Sequence, residues 1–431
     1  MLVVECPKRT ADSAAPNAAS YSYYAGYSLS FAERLIQHLP FDTDSIILDP
    51  WNGSGTTTFA AAKNGFRSHG CDLNPVMVIV AKARLLHKST APSLHPIWKK
   101  IQSEAVKRVV TVETESDPLR DWFTGKSVEN LRKIEQSIRS HLVDGDVDRD
   151  LKQRAIGDIS DIASFFYVTL FRVVRDLTKP FRASNPTWLK RPKEEGEKIS
   201  ISLNGLLKTI ERMLCEGIGS VEISSEYPGS INETTLTVCN SESLEIEENS
   251  IDLVLTSPPY CTRIDYAVAT SVELALLGFQ KKTDFADLRN SLMGTTTVPS
   301  VSPPISPVFG RTCINLLEEI GNHRSVSSNT YYLKNHIHYF SSLQKSIAEI
   351  YRVLKPQGIA TFVVQDSVYK DIHNDLPKIV TEMGKLLGLT EFQRDDFLLN
   401  SSLSSINSRS RRYKPKGFKP TESVISFYKQ D

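Results

Sequence analysis

Over the first ninety residues, short apolar runs end on a polar or acidic residue, and each is followed by a turn and a helix-forming stretch. Ser45-Ile-Ile-Leu-Asp-Pro50 has the pattern of a buried parallel strand. The turn Trp51-Asn52-Gly53-Ser54-Gly55 follows, then Thr56 to Lys63 (TTTFAAAK) with helical composition, stopped by Asn64-Gly65. Arg67 to Cys71 gives a second strand that ends at Asp72, and another helix begins after Pro75. Strand, helix, strand, helix in this order predicts a doubly wound, mostly parallel α/β sheet.

From 91 to 230 the pattern changes to charged residues at helical spacing, as in 128–138 and 159–176, which predicts a mainly helical insertion. Strand patterning resumes at Thr235–Val238 and at Ile251–Leu255. The segment 279–330, Ser/Pro-rich near 293–308, reads as irregular. An amphipathic helix from about Tyr331 to Leu354 is stopped by Lys355-Pro-Gln-Gly358. Strands at Ile359–Val364 and Ser423–Tyr428 complete the pattern. The expected organisation is a discontinuous core of 1–90 with 231–431, interrupted by the insertion.

Composition narrows this only modestly. The 431 residues are 40% hydrophobic and 23% charged, ordinary for a soluble globular protein, with a net charge of only +1. No apolar run approaches the ~18 residues that span a bilayer, and the first residues lack a signal-peptide pattern, so a cytoplasmic protein without membrane contact is expected. The six cysteines are scattered without a Cys-x-x-Cys pair, which predicts reduced, mostly buried thiols and no metal site.

Candidate chemistry lies in two places. In Asp49-Pro50-Trp51-Asn52-Gly53-Ser54-Gly55-Thr56 the glycines let backbone approach a ligand, and the helix start offers free N–H groups. Asp72, nineteen residues after Gly53, closes the next strand, where an acid takes ribose hydroxyls. Together they predict an adenosine-type cofactor. The missing third glycine and the absence of Gly-Lys-Ser/Thr disfavour NAD and ATP. A glycine turn alone is also what a tight connection looks like.

The second place is Ser257-Pro258-Pro259-Tyr260, directly after an apolar strand. The prolines stiffen the loop and remove two donors, leaving mainly acceptors. An exocyclic base amine is a poor nucleophile because its lone pair is delocalised. The Ser257 hydroxyl and the Pro258 carbonyl, aimed at its hydrogens, would raise electron density on nitrogen. Tyr260 offers a face for an extruded base.

DPWNGSGT with TSPPY resembles motifs I and IV of the amino-group (cytosine-N4 or adenine-N6) DNA methyltransferases, with Trp51 for the usual Phe. Tyr23 to Phe31 is similar to the family's motif X, and Ile350–Gly358 to its helix-to-strand passage. Asn240-Ser241 departs from the family's Gly-Asp-Ser. The resemblance covers roughly 20–90 and 235–431. It implies a Rossmann-like class I fold and S-adenosyl-L-methionine as cofactor, held by Tyr27, Asp49, Pro50, Asn52, Gly53, Ser54, Gly55, Thr56, Asp72, Asn74 and Ser241. It implies Ser257, Pro258, Pro259 and Tyr260 as the catalytic residues and direct in-line transfer without metal. The substrate implied is double-stranded DNA with base flipping, in a restriction-modification or phage-defence setting with a cognate restriction endonuclease. The serine form leans towards cytosine N4 and the aspartate form towards adenine N6. Fifth-carbon methylation needs a Pro-Cys nucleophile, whereas Cys261 follows Tyr260.

Two stretches mix basic and aromatic residues as backbone-contacting segments do: Arg172 to Lys193, with Arg182, Lys190 and Arg191, and Arg409 to Lys419, with Arg409, Arg411 and Arg412. Arg263 stands just beyond the catalytic loop, ready to line a base pocket or to pair with Asp265. Target recognition is expected in 91–230, with a further DNA contact in 279–330. An RNA base methylase and a non-catalytic DNA-binding relative are the competing readings.

Overall fold

The structure is a computed structural model. It describes residues 4–8, 21, 26–110, 115–143, 151, 156–183, 188–223, 233–261, 264–298, 302–399 and 418–430. Seven strands form one sheet: β1 (Ile46–Asp49), β2 (Arg67–Asp72), β3 (Thr234–Val238), β4 (Ile251–Thr256), β5 (Leu354–Gln365), β8 (Leu389–Leu398) and β9 (Thr421–Lys429). Their spatial order is β3-β2-β1-β4-β5-β9-β8, and β6 (Ser367–Tyr369) and β7 (Ile372–Asn374) form a separate hairpin. The pairs β3–β2, β2–β1, β1–β4 and β4–β5 are parallel, and β9 runs antiparallel between β5 and β8. The order reverses between β1 and β4, so a crevice opens at their carboxyl ends. This is the Rossmann-like sheet expected from the sequence.

Side chains of the central strands alternate between two cores, as the two-residue period of a strand requires. Ile47, Leu253, Leu255, Val363 and Val424 meet helices α1 (Leu29–His38) and α2 (Thr56–Lys63) on one face. Leu48, Val254, Phe362, Val364 and Ile425 point to the other.

Helix α3 (Pro75–Arg84) starts with Asn74 as N-cap and Pro75 in its first turn, and it is buried along most of its length. Beyond it lie α4 (Ala91–Lys107), α5 (Gly125–Leu142), α6 (Asp161–Leu177) and α7 (Leu203–Ile223), which share a hydrophobic cluster with α3. The Lys82 ammonium donates to the Gly157 and Ile159 carbonyls at 2.7 and 3.0 Å. Buried Arg132 grips Asp117 at 2.6 and 3.0 Å and the carbonyls of Leu276 and Ala275 at 2.6 and 2.9 Å. The helical segment is thus bolted to the sheet domain. Short helices α8 (Tyr266–Ala269) and α9 (Ser271–Leu276) follow β4.

In 279–330, expected to be irregular, the chain forms α10 (Asp284–Ser291) and α11 (Arg311–Asn322). A π-helical turn, Ser328–Tyr332, leads into α12 (Leu333–Val353), and α13 (Leu376–Leu387) packs behind β8 and β9. The expectation of free, mostly buried thiols needs correction. Cys71 and Cys239, at the ends of neighbouring strands β2 and β3, are joined as a disulfide with Cα atoms 5.5 Å apart. Of the free cysteines, Cys6 and Cys215 are exposed, Cys261 is half-buried and Cys313 is buried. A sequence separation of 168 residues hides the pairing from any spacing rule. Among the described residues no helix is long and apolar enough to cross a membrane.

Candidate active site

The crevice at the carboxyl ends of β1, β2 and β4 gathers both candidate motifs. Its wall includes Tyr27, Asp49, Pro50, Trp51, Asn52, Gly53, Ser54, Thr56, Asp72, Asn74, Ser241 and Ser257 to Tyr260. Gly55 is the exception among the expected cofactor residues. It caps α2 at φ 79°, and a Cβ there would lie 2.8 Å from that of Ala81. Its place is fixed by the close approach of α2 and α3, and it does not face the crevice. Gly53, at φ 48°, does.

Two acids organise the turn. Gly53 N–H donates to Asp72 Oδ2 at 2.9 Å and Asn74 N–H to Oδ1 at 2.8 Å. Each carboxylate oxygen accepts twice, so capacity for two ligand hydroxyls remains. Desolvation pushes the Asp72 carboxyl up to about 6, with the two backbone donors opposing and Asp49 adding to the rise. Asp49 is buried and is also pushed up to about 6 by desolvation. It accepts from Thr256 and Thr57 at 2.6 Å each and from Trp51 N–H at 3.1 Å. The Tyr27 hydroxyl meets Thr57 and donates to the Leu255 carbonyl at 3.2 Å. Asp49 is therefore a hub beneath the turn, tied to the strand that carries the catalytic loop.

In that loop the Tyr339 hydroxyl donates to the Pro259 carbonyl at 2.6 Å, and the Tyr260 hydroxyl donates to Glu422 Oε1 at 2.9 Å. Burial raises the Tyr260 phenol well above its ordinary value, Glu422 raises it further, and a hydrogen bond with Ser257 opposes. Burial pushes the neighbouring Cys261 thiol up to about 12, which keeps it protonated and a poor nucleophile. Ser241 bonds the Ser346 hydroxyl at 2.9 Å.

Several lining residues escaped the sequence reading. Ser291, Leu292 and Met293 reach the crevice from the end of α10, and Glu242 follows Ser241 there. Nothing local in the sequence marks them. Tyr266 also lines it, and burial raises its phenol, with the charge of Asp72 adding to the rise. Asp265 bonds Arg289 at 2.7 Å and Thr296 at 2.8 Å, which fastens the chain just beyond the loop. Arg263 lies outside the described residues, so its pairing with Asp265 does too.

The basic stretches divide. In the first, Arg172 pairs with Glu216 at 2.7 Å, Lys179 with Asp176 at 2.5 Å and Arg191 with Asp121 at 2.8 Å. Much of that charge is therefore neutralised within the fold. Arg182 lies in a bridge to Leu189, and Lys190 is exposed with its carbonyl accepting from the Trp122 indole at 2.9 Å. Arg409, Arg411 and Arg412 lie outside the described residues.

No protein-family model matches the chain. Its curated relatives are Type II methyltransferases. With M.MvaI of Kocuria varians it shares 21% identity over 89% of this chain and 84% of that protein. With M.BsoBI of Geobacillus stearothermophilus it shares 25% over 64% of this chain and 55% of the relative. With M.AvaI of Nostoc sp. the figures are 23%, 88% and 80%. Among solved structures, a geranyl diphosphate methyltransferase in complex with GPP and sinefungin aligns over 93% of this chain and 77% of that chain, at 9% identity and a TM-score of 0.33. The [4+2]-cyclase SpnF gives 94% and 84%, at 10% and 0.32. The fold stands on its own strand order.

Proposed function

We propose that this protein transfers a methyl group from S-adenosylmethionine to the exocyclic N4 of cytosine in duplex DNA. The observation that carries this reading is one crevice holding both the 49–56 turn with Asp72 and the Ser257–Tyr260 loop. The likeness to Type II methyltransferases over most of the chain supports it.

The residues fit the cofactor. Asp72 takes the ribose hydroxyls, the turn backbone takes the carboxylate end, and the tyrosines and Trp51 enclose the remainder. S-adenosylmethionine supplies the activated methyl. The chain's own part is positioning, which brings an extruded base within in-line reach. Ser257 and the Pro258 carbonyl accept from the target amine, and Tyr260 stacks on the base. Asp49 lies below both halves and holds them in register.

Residues 91–230 are the candidate target-recognition region, and 279–330 adds loops beside the crevice. Arg182, Lys190 and Arg191, with Arg263, Arg409, Arg411 and Arg412 outside the described residues, are candidate DNA contacts. The protein would act with a cognate restriction endonuclease. Exchange of 91–230 with the matching segment of a relative should move the methylated sequence; an active hybrid that keeps the original site refutes that role.

Nucleoside mass spectrometry after methylation in vitro tests the whole reading. N4-methylcytosine is expected. N6-methyladenine would change the target base while preserving the chemistry. 5-Methylcytosine, or modification of RNA alone, would overturn the proposal.

A further inference from the structure

Glu422 stands where a central strand ordinarily carries a small or apolar residue. On β9 it pairs with Gln365 of β5 on one side and Phe397 of β8 on the other, at the end of the sheet where the catalytic loop begins. It is only 8% exposed. Oε1 accepts the Tyr260 hydroxyl at 2.9 Å, and Oε2 is buried with no hydrogen-bond partner among the described residues. Burial raises its pKa above the ordinary glutamate value, opposed by the Tyr260 hydrogen bond and by Lys8. A carboxylate kept in such surroundings costs free energy, and Tyr260 is the one side chain hydrogen-bonded to it among the described residues.

Accepting the Tyr260 hydroxyl has a mechanical effect. The phenolic oxygen lies on the axis of the ring, so holding it fixes where that axis points. A phenolic O–H also favours the ring plane, so the acceptor biases the plane as well. Tyr339, from α12, holds the backbone of the same loop through the Pro259 carbonyl. Tyr260 is therefore gripped at both ends by elements outside the loop.

We infer that Glu422 is the positioning residue of Tyr260: by accepting its hydroxyl, Glu422 presets the ring face on which the extruded base stacks. This rests on the functional reading above, in which Tyr260 receives the base. A preset ring spares the base the cost of ordering it, so the gain falls in base capture rather than in cofactor binding.

The test uses the full chain, labelled S-adenosylmethionine and unmethylated duplex DNA of mixed sequence, with kcat and KM for DNA read separately. Glu422→Leu removes the acceptor at similar volume, and Tyr260→Phe removes the donor from the other end of the same bond. Each should lower kcat/KM about tenfold, mainly through KM, with cofactor affinity unchanged. The double variant should be no worse than Tyr260→Phe alone, because that variant already gives up the bond to Glu422 together with the one to Ser257. Glu422→Gln keeps an acceptor of the same shape and should restore most of the efficiency. Wild-type efficiency in Glu422→Leu, a Gln variant as impaired as the Leu variant, or losses that multiply in the double variant would each overturn the inference. Should Glu422→Leu not fold, Tyr260→Phe and Glu422→Gln still decide it. A wild-type chain that binds cofactor but methylates no DNA is a different outcome: it refutes the functional reading itself, and this inference with it.

Discussion

The Thr256 hydroxyl donates to Asp49 Oδ1 at 2.6 Å, joining the last residue of β4 to the last residue of β1. Those two strands flank the point where the sheet order reverses, one leading into the cofactor turn and the other into the catalytic loop. Thr256→Val leaves a buried carboxylate short of one donor and should cost about 1–3 kcal/mol in denaturant unfolding. The folded variant should be weaker in both cofactor affinity and transfer. A variant impaired in only one of the two would show that the halves are not coupled through Asp49.

Ser257→Ala should behave differently. If Ser257 accepts from the target amine as transfer proceeds, its loss should slow the chemical step on the order of a hundredfold. Cofactor affinity should stay near wild type. Single-turnover methylation with saturating DNA separates the two quantities.

Asp72→Ala should weaken S-adenosylmethionine by about 1.5–3 kcal/mol, the range for hydrogen bonds to a charged group. Calorimetry on the folded variant reads this directly, and unchanged affinity would remove Asp72 from the site.

The same carboxyl predicts a pH dependence. Its pKa in the fold is raised from 3.8 to about 6, so protonation favours the ligand-free fold. Its contribution to stability is present below its ordinary value and lost as pH rises through about 6. Cofactor binding runs the other way, because the ionised form accepts the ribose hydroxyls. Affinity should be flat above pH 7 and about tenfold weaker at pH 5, one pKa unit below the midpoint. In Asp72→Ala this slope should be shallower, leaving only the part that comes through Asp49, whose carboxyl is also raised to about 6.

Arg132→Met should cost about 3–5 kcal/mol, since it strands the buried Asp117 and two carbonyls while preserving bulk. Urea unfolding measures it. Cofactor affinity of the folded protein should not change, because none of these groups lines the crevice.

What could be read from the sequence was what is contiguous in it. The helix over Thr56–Lys63 and the one starting at Pro75 stand where composition and capping put them, because their stop and start signals are local. Strand β8 was not legible. Its residues LTEFQRDDFL are mostly polar, and as an edge strand it is held by one neighbour. Helices α11 and α13 were also missed, the first because the Ser/Pro-rich stretch before it suggested irregular chain throughout. At the site, the turn and the Ser257–Tyr260 loop each carry a compact signature. Tyr339 and Glu422, which bond the catalytic loop, and Met293, which lines the crevice, carry none, since distant elements bring them there only once the sheet has formed. The Cys71–Cys239 pairing belongs to the same class.

The insertion also bears on how the chain can fold. Strands β1 and β2 are joined by one short helix, but β3 pairs with β2 across a gap of 166 residues between Ser68 and Thr234. Closing so long a loop as flexible chain carries an entropic cost that grows with its length. A compact helical lobe already docked on α3 brings its two ends together and shortens the effective loop. Assembly of the sheet edge should therefore wait for the lobe, and lesions in the lobe core such as Arg132→Met should slow refolding of the cofactor wall they never touch.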